Sequence, residues 1–423
     1  MWNKILLVFK IKEVRNKIIF VLALLTVFRI AAAIPIPGID IERLKSFFEG
    51  NQFFGLLNIF SGGAMSNLSI VMLGVAPYIT ASIIMQLLTM IFPQLKEMYH
   101  ESGEQGRQKF NQYTRYLTVP LAFIQSYAFL NLLKSQGVIG SIDLTLMVSN
   151  IIIITAGTIF LMWLGELITE KGIGNGVSLI IFAGIIASIP STIYQTLLTY
   201  EPSQIPSYLA FVVIALIIIA GVVIITEGQR NIPVSYAKRI RGYRVYGGVS
   251  THLPLRVNQA GVIPIIFALS IMLFPGMIAT FLQGVDNHAV ANFARFLGNM
   301  FQNQWLYGSL YFVLVVLFTY FYTAVTFDPK VIAENIQKQG GFVPGIRPGS
   351  PTAGFLYFVL NRITLVGALF LGFIAITPFV VQGATGITTM TIGGTALLIV
   401  VSVVLESMKQ VESQLVMREY EGF

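Results

Sequence analysis

The tightest constraint on this chain is a run of 24 residues, Ser69 to Phe92, without one charge. At helical rise, such a run crosses a hydrocarbon core of roughly 30 Å, so it predicts a membrane-spanning helix. The stretch before it, Phe53 to Met65, is apolar but interrupted by Asn58 and Gly62-Gly63, and it is too short to cross. It predicts a half-helix. Further spans are expected at Ile18–Ile34, Tyr116–Leu133, Leu146–Ile168, Val177–Leu198, Tyr208–Thr226, Gln259–Leu282, Trp305–Phe327, Ile363–Gln382 and Thr391–Met408, ten in all. The basic, apolar start superficially resembles a signal peptide, but Pro35-Ile36-Pro37-Gly38 leads on into further spans, and we read it as the first helix of the mature chain.

The second span recurs. Gly74-Val75-Ala76-Pro77-Tyr78-Ile79-Thr80-Ala81-Ser82-Ile83-Ile84-Met85 and Gly261-Val262-Ile263-Pro264-Ile265-Ile266-Phe267-Ala268-Leu269-Ser270-Ile271-Met272 share seven of twelve residues at an offset of 187. Apolar helices draw on a small alphabet and often match by chance, but a Gly-Val-x-Pro start in register is harder to obtain that way. The chain therefore reads as a duplicated half, residues 1–200 and 201–423, with five spans each.

Lys and Arg residues fix the orientation. Of 27, 22 fall on the side of the amino terminus, four on the other side, and Arg29 lies inside the first span, where it can snorkel. That asymmetry puts both termini in the cytoplasm. With an odd number of spans per half, the second half enters the membrane from the opposite side, so the repeat is inverted. The expected fold is an all-α polytopic membrane protein of two inverted five-helix halves.

Two loops on the basic side exceed what a connection needs. Glu227 to Asn258 mixes Arg239, Arg241 and Arg244 with tyrosines, and Asp328 to Arg362 carries Phe342-Val343-Pro344-Gly345-Ile346-Arg347-Pro348-Gly349. Such a mixture suits RNA phosphate or an acidic protein surface, although positive-inside topology alone accounts for the charge equally well.

Three function classes compete: an ion-coupled secondary transporter, an intramembrane enzyme and a passive conduit for a large substrate. Inverted repeats favour the transporter, but apart from Arg29 the charges near the spans, Glu166, Glu227 and Glu406, sit close to span ends, away from a mid-membrane coupling position. The chain contains no cysteine, its three histidines (His100, His252, His288) are scattered, and it has no His-Glu-x-x-His, phosphate-binding loop or nucleophile elbow. Neither metal site nor cofactor is expected. Aliphatic spans and a half-helix that could close them favour the conduit.

Six segments carry a family likeness: Asn58-Ile59-Phe60-Ser61-Gly62-Gly63-Ala64, Gln112-Tyr113-Thr114-Arg115-Tyr116, Met162-Trp163-Leu164-Gly165-Glu166, Gly172-Ile173-Gly174-Asn175-Gly176, Ser250-Thr251-His252-Leu253-Pro254-Leu255 and the 342–349 stretch. Together they resemble the SecY family, channel subunits of the bacterial plasma membrane through which unfolded secretory polypeptides with signal sequences are translocated. The resemblance implies a clamshell of two halves around an hourglass pore, with SecE and SecG as companion subunits. Drive would come from the SecA ATPase or a translating ribosome docked on the two long loops.

Position by position, it implies a plug around Phe54, Leu57, Asn58, Ile59, Phe60, Ser61, Gly62, Gly63, Ala64 and Met65. A lateral gate toward lipid would lie between the second and seventh spans, where Thr80, Gln86 and Asn258 are expected, Gln86 and Asn258 as a polar pair. Docking would fall to Arg239, Arg241, Arg244 and Arg347. At the first loop's tip the family often has two adjacent basic residues, and here they fall on Tyr243 and Arg244. For the pore ring, Ile79 and Ile266 are equivalent in the repeat, and the resemblance agrees with both and adds Val75, Val177, Ile181 and Ile399.

Overall fold

The computed structural model describes residues 11–37, 61, 64–65, 68–100, 102–135, 143–198, 205–236, 239–241, 244–246, 250–283, 292, 304–385 and 394–421. Its helices are α1 (Lys12–Ala33), α2 (Ala76–Ile91), α3 (Pro93–His100), α4 (Gly103–Ser135), α5 (Leu144–Lys171), α6 (Gly176–Leu198) and α7 (Ile205–Glu227), then α8 (Ile263–Gln283), α9 (Gln304–Thr326), α10 (Pro329–Lys338), α11 (Ser350–Thr385) and α12 (Gly394–Glu421). Each expected span meets one of these, leaving α3 and α10 as short extra-membrane pieces. Among the described residues, six helical stretches are long and apolar enough to cross a membrane, and α2 joins them if counted with α3, from which it is bent by 116°. α6 and α8 contribute shorter apolar stretches, Gly176–Ser191 and Ile263–Met272. α7 is the barest: Leu209, Val212, Val213, Leu216 and Ile217 are all exposed, as a lipid-facing helix requires.

The second span is shorter than expected. Ser69 forms an isolated antiparallel bridge with Pro35, residues Ile70 to Val75 form turns, and helix begins only at Ala76. Gly74 explains the break, because its φ of +58° belongs to the left-handed region that a helix excludes. Gly261, its repeat equivalent, has φ +61°, and there too the helix starts two residues later, at Ile263. Pro77 and Pro264 then sit in the first turn, where a missing N–H costs nothing. The duplicated Gly-Val-x-Pro is thus a conformational signal, a left-handed turn followed by a proline-led helix start. The turn segment is tied back to the end of α1: Ile36 N–H donates to the Leu68 carbonyl at 2.8 Å and Ile70 N–H to that of Ile34 at 3.0 Å.

The chain is mostly helical, as expected, and the long loops add short strands. β1 (Gln229–Tyr236), β4 (Ser250–Arg256) and β5 (Gly341–Phe342) form an antiparallel sheet in the order β4-β1-β5, and β2 (Arg239–Arg241) pairs with β3 (Arg244–Tyr246). Ile232 and Val234 alternate with exposed residues along β1 and bury one face. Ile232 packs with Leu255, Ala333, Val343, Leu356 and Val359 into a small core of its own. The two long loops are therefore one folded unit, joined where Ser235 faces Phe342 and Tyr236 faces Gly341.

Within the bilayer, helices gain nothing from leaving water, so small residues that permit close approach matter more. A Cβ at Gly157 on α5 would stand 2.0 Å from the Ile70 carbonyl oxygen, and one at Gly176 would stand 1.9 Å from that of Gly165. Gly176 N–H also donates to Thr169 Oγ1 at 2.9 Å, fixing the α5–α6 turn. We predict that Gly176→Ala lowers stability by about 1–3 kcal/mol through overpacking, read as a lower Tm in detergent. An unchanged Tm would show that the two helices part freely.

Candidate functional site

Two helix pairs build the centre of the molecule. α2 packs on α8 and α6 on α12. By the repeat, each contact joins a helix of the first half to its counterpart in the second. Val75 is the residue just before α2 and its carbonyl accepts from Ile79 N–H at 3.0 Å, Val177 and Ile181 lie one turn apart on α6, and Ile266 is on α8 and Ile399 on α12. Five of the six are buried in one apolar cluster, and Val177 is half-buried against it. All six thus lie in or against one large cluster that also takes in residues of α1, α5, α9 and α11.

Of the expected plug, Phe54, Leu57, Asn58, Ile59, Phe60, Gly62 and Gly63 lie outside the described residues. Ser61, Ala64 and Met65 are described, buried and in turns rather than a helix. Ser61 Oγ accepts from Met65 N–H at 3.1 Å. Ala64 belongs to the same central cluster as the six aliphatic residues. Met65, Leu68, Met72 and Leu73 form a second cluster with Leu130 and Leu133 of α4 and Ile151 and Ile154 of α5.

Thr80 and Gln86 lie on α2 and Asn258 lies shortly before α8, and the expected polar pair does not form. Gln86 Nε2 donates to Ser82 Oγ at 3.2 Å, one turn back on its own helix, and Asn258 Nδ2 donates to the Gly261 carbonyl at 3.1 Å. Local partners are reached without ordering a second helix, so they win. Gln86 Oε1 and Asn258 Oδ1 remain buried without a hydrogen bond, and an orphaned buried acceptor costs about 1–3 kcal/mol. Thr80 is buried as well.

The docking candidates sit on the loop unit. In the β2–β3 backbone register, Arg239 pairs with Tyr246 and Arg241 with Arg244; Tyr243 lies outside the described residues. Arg347 is exposed in a turn shaped by Gly345 (φ +85°) and Gly349 (φ +95°), and Thr352 Oγ1 donates to its carbonyl at 2.8 Å.

Sequence reasoning missed several contacts between the quoted motifs. Arg115 Nε donates to Glu166 Oε1 at 2.6 Å, joining Gln112-Tyr113-Thr114-Arg115-Tyr116 to Met162-Trp163-Leu164-Gly165-Glu166 across α4 and α5. Gly174 N–H donates to Gln410 Oε1 at 2.6 Å, so the Gly-rich turn also anchors α12. A basic residue near one span end and an acidic one near another was the available signal, but nothing in the sequence paired them.

These features define a polytopic α-helical membrane protein with paired helices meeting on an aliphatic centre and a basic extra-membrane unit. The sequence model of the SecY family matches residues 69–408. The protein translocase subunit SecY of Thermotoga maritima is 45% identical over 434 residues, covering 100% of this chain and 98% of its own. Among solved structures, a protein-conducting channel superposes with a TM-score of 0.63 at 20% identity, covering 93% of this chain and 91% of that one. Sec61 in the canine ribosome-channel complex gives 0.60 at 18% identity, with the same coverage. The chain belongs to the SecY family.

Proposed function

We propose that the protein is the pore-forming subunit of a protein-conducting channel in the bacterial plasma membrane, with both termini in the cytoplasm. It passes unfolded secretory polypeptides across the membrane and releases transmembrane segments sideways into lipid. The observation that carries this reading is the gathering of Val75, Ile79, Val177, Ile181, Ile266 and Ile399, from four helices, on one apolar cluster. Aliphatic side chains close by excluding water and deform around any passing sequence without binding it. The channel does no chemistry itself.

In this reading residues 1–200 and 201–423 are the two shells, residues 54–66 are the plug, and α2 against α8 is the gate. The unpaired oxygens of Gln86 and Asn258 support a seam held weakly enough to part. SecE and SecG accompany the chain. Either SecA or the ribosome docks on Arg239, Arg241, Arg244 and Arg347.

The chain has no cysteine, so a pair engineered across α2 and α8 introduces the only thiols. Oxidation is expected to block entry of a signal sequence and reduction to restore it, measured as preprotein translocation into vesicles. Normal translocation through the locked protein would place the seam elsewhere. Solute uptake by the chain alone, with no dependence on a preprotein, would favour the ion-coupled transporter.

A further inference from the structure

Among the described residues, polar contacts of unequal character join the two halves near the span ends. On one side, the first half grips α12: Gly174 N–H donates to Gln410 Oε1 at 2.6 Å, and Lys17 Nζ to Gln414 Oε1 at 3.4 Å, both partly buried. On the other side, Lys96 Nζ of α3 meets Asp328 Oδ2 at 3.8 Å, with side chains 57% and 32% exposed. α3 reaches that position because the chain turns by 116° between α2 and Pro93. A long, exposed ion pair is weak and screened by salt.

Asp328 is more than a surface carboxylate. Its Oδ1 accepts from Lys330 N–H at 3.0 Å and caps α10, so the carboxylate is fixed to that helix. α10 in turn is packed into the loop unit, since Ala333 shares a core with Ile232, Leu255, Val343 and Leu356. The same unit carries the exposed Arg347 turn, braced by Ile346 N–H on the Val343 carbonyl at 3.0 Å. One rigid body therefore holds Asp328 at one edge and Arg347 at another. Displacing it moves the Asp328 carboxylate away from Lys96, which belongs to the other half.

We propose that Lys96–Asp328 is a latch between the halves, placed on the docking unit so that a partner seated at Arg347 releases it. This rests on the channel reading above. The α12 grip stays made and acts as the fixed side about which the latched side parts. The latch biases an opening equilibrium by about fivefold, which converts to about 1 kcal/mol. That suits a contact which has to break in every cycle.

The test uses the full chain in vesicles with two preproteins, one with an intact signal sequence and one with a weakened signal. Lys96→Glu replaces attraction by repulsion. Asp328→Asn removes the charge but keeps an oxygen for the Lys330 N–H, so the α10 cap survives. Both are expected to raise translocation of the weakened preprotein about fivefold and to leave the intact one unchanged. Parental rates for the weakened preprotein in both variants, beside a working parent, would remove the latch and leave the channel reading standing. Loss of intact-preprotein translocation in Asp328→Asn would also overturn it, since a released latch leaves the pore competent. A parent that translocates neither preprotein would remove the channel reading, and the latch with it.

Discussion

Replacing Ile79 and Ile266 together by Asn is expected to make the resting protein leak ions while leaving it inserted. Both side chains are buried in the central cluster, at 9% and 8% exposure, on the two helices that the repeat makes equivalent and that pack on each other. A closed aliphatic constriction holds no water, and an ion must shed its hydration to enter. Two amides at that level supply hydrogen-bonding partners for water on opposing walls. Each ~1.4 kcal/mol removed from the barrier multiplies the leak roughly tenfold. A reduction of about 3 kcal/mol for the pair would then raise resting conductance by about two orders of magnitude. The same change should relax the demand for a strong signal sequence, because part of the barrier that a signal must overcome is gone. Ile79→Gly with Ile266→Gly separates wetting from bulk: it opens the level without adding polar groups and should leak as well. The measurement is conductance of the purified protein in planar bilayers, with Tm recorded to confirm folding. A folded double mutant as tight as its parent would remove these residues from the seal.

Much of this architecture is legible in the sequence because long uncharged runs have few alternatives: a segment such as Leu146–Ile168 finds no soluble role. The repeat was legible as well, but its conformational content was not. Gly74 and Gly261 interrupt runs that look continuous, and a run of apolar letters does not reveal a φ of +58° or +61°. The sheet was hidden for a different reason. β1 and β4 each carry a proline, Pro233 and Pro254, in registers opposite His252 and Asn231, and proline within a short run argues against a strand. That the six aliphatic residues lie in or against one buried cluster could be anticipated from the repeat and the family likeness, whereas Arg115 with Glu166, 51 positions apart, could not. The Gln86–Asn258 expectation failed because sequence shows which groups are polar but not which nearby donor or acceptor reaches them first.

Reversing the charge of Arg347 is expected to cripple partner-driven translocation without unfolding the protein. Its surroundings separate presentation from support. Pro344 and Pro348 restrict the backbone on either side, the glycines at 345 and 349 take the left-handed conformations that the turn needs, and Thr352 holds the Arg347 carbonyl. The backbone is thus ordered before any partner arrives, which removes part of the entropic cost of binding. The side chain itself is exposed, so the fold does not depend on it. An ordered loop presenting an exposed guanidinium suits a partner carboxylate or phosphate, which it can grip through two parallel hydrogen bonds. Removing a central contact of this kind typically costs at least about 2 kcal/mol of binding, a loss of roughly thirtyfold, and Glu adds repulsion. Arg347→Lys keeps the charge but loses the planar fork, so it should fall between the parent and Arg347→Glu. Translocation rates in vesicles under limiting partner, compared with rates at saturating partner, give the measurement: a docking defect recovers as partner is added, and a conduction defect does not. Parental rates for Arg347→Glu under limiting partner would move the docking contact to the β2–β3 hairpin, which carries Arg239, Arg241 and Arg244.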